Sequence, residues 1–532
     1  MPPPLPDGGK ALWARTLYKP ASAKVAANKI RNLYVIVICF LALAGTVSFV
    51  AGSWARIVAP FELDYGEGIV MWQAAHVTNL DAAYGDITHL PYIVFHYPPV
   101  YPLVSQLMAG WTHDLLVAGR LVSVISALII ILIFAVQVFT CLPHRMPVSA
   151  RLGGSFTAIV LSYSLTGLEW ARLMRVDFLG LVFTFAGLAL FILSRRRAAW
   201  EYSAFVFFFL ALFTKQTLIA APAACLAASF IADRRRAWRL AAIIAGCSLA
   251  TMCFLWFATD GRVLRHLFLY NRNPTSVNQL IVLMHSNLNE DGPLFAVAAG
   301  ALVAYAAPLA RFPGAWVRVR TGLRQSLYQR ALIIGGFHMT LAFLVSFTAI
   351  KQGSNYNYFL EWDLAAAPLA GLLVGRTLAG LRQPSDLTGV VAVALLVPVA
   401  LGARGIRKPA IPEAVKNQPY SRILDRIEQA HGPVYSEDMV LLNLARKRIY
   451  GEPSILSSLS AVGAWDESPL TNQIRSGFFA LIVQKHPNDS LYFSPGVQSA
   501  IRDAYRVSER DGEYTLSVRR RQPSAHPGSS AQ

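Results

Sequence analysis

The sequence predicts a mainly α protein: a polytopic transmembrane helical bundle of about eleven spans with a small C-terminal α/β domain outside the membrane. Three observations predict it. Hydrophobic residues make up 55% of the chain against 15% charged, with a positive mean hydropathy. Apolar runs of spanning length recur, and the segments between them alternate in charge.

A chain of 532 residues with this composition is too apolar for an ordinary soluble protein. Its formal net charge is +18, but the bases sit in short clusters between apolar runs. Topology and anionic headgroups account for that placement, so no nucleic-acid partner is expected. Cys39, Cys141, Cys225, Cys247 and Cys253 lie in or beside apolar runs without a CxxC pair, which supports neither a disulfide framework nor a cysteine metal site.

Residues 1–32 form a basic, Pro- and Ala-rich tail, and the apolar run behind it is too long for a cleaved signal peptide. A spanning helix needs about 20 mostly apolar residues. Candidate spans lie near 33–55, 117–141, 152–168, 177–194, 202–213, 217–232, 240–258, 294–310, 331–350, 361–381 and 388–403. The fifth is short and joins the sixth through "LFTKQT". The connectors "PHRMPVSAR", "SRRRAAWE", "DRRRAWR" and "ARFPGAWVRVRTGLRQSLYQR" are arginine-rich, whereas the intervening ones carry acids and histidines. The positive-inside rule makes the arginine-rich set cytoplasmic. With an odd number of spans, the first external loop, 56–116, and the region after 403 then share the opposite face.

Residues 404–520 read as a soluble domain. "SRILDRIEQA" has helical spacing, "GPVYS" and "FFALIVQ" resemble short buried strands, and "YRVSERDGEYTLSVR" reads as a hairpin turning at Asp511-Gly512. The tail 521–532 is polar, Pro- and Ser-containing, and is predicted to be disordered.

The external residues carry the chemistry. In "FELDYGEG", Glu62, Asp64 and Glu67 fall within six positions, and a helical turn would put Asp64 and Glu67 on one face. Gly66 and Gly68 allow close backbone approach, and "IVMWQAAHVTNL" is apolar enough to lie in the membrane interface. Carboxylates at that boundary are partly desolvated and more basic, which suits a general base. The plainer reading is a set of solvated loop acids. "HYPPVYPL" brings His96, Tyr97 and Tyr101 together with prolines that stop a preceding helix: either a stiff aromatic belt or a wall for a sugar ring. Arg172, Arg175, Lys215 and Lys351 lie at the mouths of spans on this face, where charge is costly unless paired. Their partners are either nearby acids such as Glu169, Asp177 and Glu361, or a lipid phosphate.

The ordered set "FELDYGEGIV", "HYPPVYPL", "RVDFLGL", "TKQT" and "KQGSNYNYFLEW" resembles the integral-membrane GT-C glycosyltransferases. The likeness is to bacterial relatives of the protein O-mannosyltransferases and of the lipid A aminoarabinose transferase, and it covers residues 30–400 in order of elements. It implies transfer of a sugar from a polyprenyl-phosphate donor to a lipid, polysaccharide or protein acceptor at the external face of a bacterial inner membrane. It implies Asp64 as base, with Glu67 or Glu62 as the second acid, since "D-Y-G-E" separates what is usually an adjacent pair. Lys215 and Lys351, with Arg172 and Arg175 as weaker carry-overs, fall where such enzymes meet the donor phosphate. Glu62, His96, Tyr97, Tyr101, Asp177, Asn355, Tyr358 and Glu361 would line the substrate site. No Walker loop or GxGxxG is present. Some enzymes of this class use a divalent metal, but His76, His89, His96 and His113 match no tight metal motif, and no metal ligand is assigned. The rival is a glycolipid transporter or flippase. That class concentrates charge mid-membrane, whereas these spans are nearly free of acids.

Overall fold

In the computed structural model the described residues run from 19 to 520, apart from 196, 198, 311–313, 383–385, 387 and 407–418. A long first helix, α1 (Lys19–Ile57), is followed by α2 (Gly66–His76), α3 (Val100–Thr112), α4 (Leu115–Cys141) and α5 (Val148–Ser164). A 3₁₀ turn over Thr166–Arg172 leads into α6 (Asp177–Leu193), then α7 (Ala199–Leu212), α8 (Ala220–Ala232) and α9 (Arg234–Ala258). The bundle is completed by α10 (Val277–Ala310), α11 (Ala315–Gln325), α12 (Leu327–Ser346), α13 (Leu360–Gly380) and α14 (Gly389–Gly405).

Each of the eleven apolar windows is occupied by a helix. Among the described residues, five helices are long and apolar enough to cross a membrane alone: those covering Lys24–Ile57, Leu115–Cys141, Arg234–Ala258, Val277–Leu309 and Leu327–Ile350. α6 makes a sixth only together with the Thr166–Arg172 turn, from which it bends by 113°. The others fall short for local reasons. α7 and α8 have 14 and 13 residues because the Lys215 loop interrupts them, which is about 20 Å of helix against a hydrocarbon core of about 30 Å. α13 carries Glu361 and Asp363 in its first turn. α1 begins at Lys19, so the helix extends back into the stretch read from sequence as tail; residues 1–18 and 521–532 lie outside the described residues.

Lipid-type exposure and internal packing divide along the helices. α1 turns Leu33, Ile36, Phe40, Leu43 and Val47 outward, as a helix facing hydrocarbon does. α13 is buried along most of its length and crosses α5 closely. A Cβ on Gly154 would lie 2.5 Å from the Gly371 carbonyl oxygen, so the crossing depends on glycine in the way small-residue membrane interfaces do. Asp114 and Ser326 start α4 and α12 by accepting from the backbone N–H of Val117 (3.0 Å) and Gln329 (3.3 Å).

The C-terminal part holds a four-stranded sheet of β1 (Val434–Ser436), β2 (Leu481–Gln484), β3 (Tyr505–Asp511) and β4 (Tyr514–Arg519), in the order β1-β2-β4-β3. β1 and β2 are parallel; β2–β4 and β3–β4 are antiparallel. The hairpin turns at Gly512, whose φ of 58° suits a residue without a side chain. Helices α15 (Tyr420–Gln429), α16 (Met439–Leu444), α17 (Pro453–Ala461), α18 (Ser468–Arg475) and α19 (Pro495–Ala504) pack around the sheet. Their core includes Ile423, Ile427, Val434, Leu481 and Leu516.

This layer sits directly on the first loop. α2, expected to lie in the membrane interface, is instead buried from Gly66 to Ala74 inside protein. A Cβ on Gly68 would lie 2.7 Å from Met439 Cβ of α16, so the two elements are in intimate contact. The reason is local: "GEGIVMWQA" has apolar residues on all sides and no polar face to offer the headgroups.

Candidate active site

Asp64 sits in the turn before α2, and its Oδ2 accepts the backbone N–H of Gly66 (3.0 Å) and Nη1 of Arg175 (3.2 Å). Its Oδ1 accepts no hydrogen bond among the described residues. Burial raises the Asp64 carboxyl above the usual range, with Arg175 opposing the rise. A Cβ on Gly66 would overlap the Arg175 guanidinium, which explains the glycine beside the acid.

The sharp bend between Thr166–Arg172 and α6 delivers Arg175 to this point and Asp177 to the first turn of α6. Asp177 is the hub of a buried polar network. Its Oδ1 lies 2.6 Å from Lys215 Nζ and accepts Asn357 Nδ2 (3.2 Å), and its Oδ2 accepts Trp170 Nε1 (3.0 Å). The Lys215 ammonium also stands 5.1 Å from the Tyr358 ring centroid, and Arg175 stands 5.4 Å from that of Trp170. Burial disfavours the Lys215 ammonium, but Asp177 overcomes this and holds its pKa above the ordinary value. Asp177, Lys215, Thr217, Asn357, Tyr358 and Glu361 line a cavity that continues between α6 and α12. Glu361 Oε1 is 2.9 Å from His338 Nε2.

His96 and Tyr97 flank the cluster. Their rings are 4.2 Å apart, and Gln73 Nε2 lies 3.4 Å from His96 Nδ1. Burial and the nearby Arg175 push the His96 imidazole down to about 3, so it is neutral. Lys351 donates to the Asn271 carbonyl (3.1 Å), and its positive charge also acts on His96.

Asp64, His96, Tyr97, Arg175, Asp177, Lys215, Tyr358 and Glu361 therefore gather at one end of the bundle, with Lys351 near His96; Glu67, Glu62, Tyr101, Arg172 and Asn355 are engaged elsewhere. Glu67 is fully buried and saturated: Arg120 grips it through Nε (2.8 Å) and Nη2 (2.7 Å), and the backbone N–H groups of Leu63 (2.7 Å) and Met174 (2.8 Å) donate to it. That leaves no lone pair for a substrate, so it is a strut and not a base. Glu62 turns to the C-terminal layer, 3.2 Å from Lys485 Nζ, which also lies 2.9 Å from Asp438 Oδ2. Tyr101 is buried, donating to the Gly119 carbonyl (2.8 Å), and so is not on the wall of the site. Arg172 points back to α1, pairing with Glu169 and donating to Ser53 Oγ (3.1 Å). Asn355 is exposed and accepts the Tyr356 N–H (2.8 Å); its neighbour Asn357 is the one that reaches Asp177.

No family model matches the chain, and a comparison with curated proteins finds no match either. Solved structures do match. ArnT from Cupriavidus metallidurans in the apo state aligns with a TM-score of 0.53 at 14% identity, over 89% of this chain and 97% of that one. The same protein bound to undecaprenyl phosphate gives 0.52 at 13%, with the same coverage. The Archaeoglobus fulgidus oligosaccharyltransferase AglB, in complex with an inhibitory peptide and a dolichol-phosphate, gives 0.53 at 12%, over 93% of this chain and 75% of that one. The fold is that of the GT-C glycosyltransferases.

Within this GT-C fold the structure adds residues that the sequence did not single out. Arg120, Trp170 and Asn357 were legible only as a buried arginine in a span, a tryptophan and one of two asparagines in "SNYNY". The arginine had a usable signal, because a lone charge inside an apolar run demands a partner. The donor set does not fit a bound divalent metal: among the described residues no three His, Cys, Asp or Glu side chains group to hold one. The place beside Asp64 is taken by Arg175, and Asp177 is committed to Lys215.

Proposed function

We propose that the protein is a membrane glycosyltransferase that moves a sugar from a polyprenyl-phosphate donor to an envelope acceptor at the external face of a bacterial inner membrane. The observation that carries the reading is the cluster in which Asp64, with one free carboxylate oxygen, adjoins Arg175, Asp177 and Lys215. The lipid phosphates held by the structural neighbours, undecaprenyl phosphate in ArnT and dolichol-phosphate in AglB, support a donor of that chemistry. The arginine-rich connectors support a cytoplasmic N-terminus, with the cluster and the C-terminal layer on the other side.

In this reading Asp64 Oδ1 takes the proton of the acceptor hydroxyl or amine as that group attacks the anomeric carbon. The bond from that carbon to the phosphate oxygen breaks in line, with inversion, and the electron pair leaves on the polyprenyl phosphate. Lys215 and Arg175 meet the charge that develops there, with Lys351 beside the same mouth. Asp177, itself held by Asn357 and Trp170, fixes the lysine in place. Tyr97 and Tyr358 offer flat faces to the sugar, and His96, held neutral, can donate or accept a hydrogen bond without adding charge.

The test is a deletion strain whose envelope glycolipids and glycoproteins are compared with wild type by mass spectrometry. The missing modification names sugar and acceptor, and an unchanged envelope defeats the transferase reading. Complementation with Asp64→Asn is expected to restore nothing, while the purified variant still binds undecaprenyl phosphate. Full restoration would remove Asp64 from the role of base.

A further inference from the structure

The helices that build the charged cluster also build a second cavity at their far ends. α6 starts at Asp177, α7 and α8 flank Lys215, and α12 ends at the wall made by Val345. Their other ends, at Ser194, Glu201, Ala232 and Arg330, surround a cavity of about 470 Å³. The 17 residues of α6 place the two sites about 25 Å apart, close to the hydrocarbon thickness of about 30 Å. The volume lies within the range of ligand pockets.

Among the described residues, five arginines and two carboxylates line this cavity. The carboxylates are already engaged: Glu201 pairs with Arg236, and Asp233 accepts the Arg236 N–H (3.2 Å) at the start of α9. Arg330 is 9% exposed. It donates to the carbonyls of Phe191 (2.8 Å) and Leu323 (3.1 Å) and to Ser194 Oγ (3.2 Å), and its buried Nε has no partner among the described residues. A guanidinium whose hydrogen-bond acceptors are all neutral, and whose nearby carboxylate Glu201 is shared with Arg236, is costly to bury. Topology accounts for exposed arginines at a membrane face, but not for a buried one facing a cavity.

We propose that this cavity binds a phosphate group, carried either by the headgroup of an anionic lipid or by a soluble phosphate ester. Arginine forks match phosphate oxygens, and basic pockets between membrane helices are suited to lipid headgroups. Arg195, Arg197 and Arg324, exposed in this structure, form the rim, and Arg330 forms the floor. The site is independent of the sugar-transfer reading, since it shares helices but no side chain with the Asp64 cluster.

The test uses the full chain purified in neutral detergent. Thermal unfolding is followed at constant ionic strength while short-chain phosphatidylglycerol, phosphatidylcholine or inorganic phosphate is added, for wild type and R195Q/R197Q/R324Q. Phosphatidylglycerol or phosphate is expected to raise the unfolding temperature in a saturable way, phosphatidylcholine to leave it unchanged, and the triple variant to bind about tenfold or more weakly. A response to phosphatidylglycerol alone identifies a lipid headgroup; a response to phosphate at millimolar concentration identifies a soluble ester. No response to either, or an equal response in the variant, overturns the proposal. Should the triple variant fail to fold, R324Q alone, at an exposed side chain, gives the same comparison.

Discussion

Arg175 Nη1 lies 3.2 Å from Asp64 Oδ2 and leaves Oδ1 uncommitted, so a single guanidinium orients the acid without consuming it. In the proposed mechanism, converting that acid to its amide removes the base. Asp64→Asn is expected to lower kcat by about 10²- to 10⁴-fold, with little change in thermal stability. An assay of single-turnover transfer at saturating donor checks it.

The pH profile should carry the mark of this environment. Because burial raises the Asp64 carboxyl, a base at this position is ionised only above that raised value. The acid limb of kcat/KM is therefore expected at higher pH than an ordinary carboxylate gives, with activity lost as pH falls through it. A limb at the ordinary aspartate position would contradict the assignment.

Gly66→Ala is expected to expel Arg175 from beside Asp64, since the added methyl claims the same space. Transfer should drop while circular dichroism stays native, and Gly66→Ala combined with Arg175→Ala should be no worse than Arg175→Ala alone. Additive losses in this cycle would refute the steric account.

Breaking the Glu67–Arg120 pair leaves a fully buried arginine without its counter-charge. Glu67→Gln is expected to cost about 3–5 kcal/mol of stability, read as a lowered midpoint in denaturant. A stable but inactive variant would instead return Glu67 to the chemistry.

Glu452 gives a stability signature of its own. Burial lifts its carboxyl from 4.5 to about 7 in the fold, against donors from Tyr65, Ser454 and Ile455. The native state then holds a proton that the unfolded chain has released between these values. The contribution of Glu452 to stability is expected to be fully present below about pH 4.5 and to be lost as pH rises towards 7, with Glu452→Gln flattening that part of the slope. Unfolding temperatures across pH 5 to 8 test it.

What could be read from the sequence follows from what is local. Apolar windows and arginine-rich connectors are short-range patterns, and each of the eleven windows holds a helix; β1, β2 and the β3–β4 hairpin likewise stand where their residues pointed. Asp64, Arg175, Asp177 and Lys215 were legible as charges at the mouths of spans, where burial demands partners. Which acid takes which base was not, because the partners are remote. Glu67 finds Arg120 53 residues away, and Glu62 finds Lys485 423 residues away. Side-chain type also gave no means of separating Asn355 from Asn357, since only the turn at Tyr356–Tyr358 decides which one faces inward.

The loop that bears Asp64 is clasped by Lys485 at Glu62, by Glu452 at Tyr65 and by Met439 at Gly68. A ribosome makes those clasps hundreds of codons after the loop itself has emerged. During synthesis the membrane portion therefore emerges before the residues that clasp this loop, and a product terminated ahead of them would lack all three contacts while keeping the Arg175 contact to Asp64.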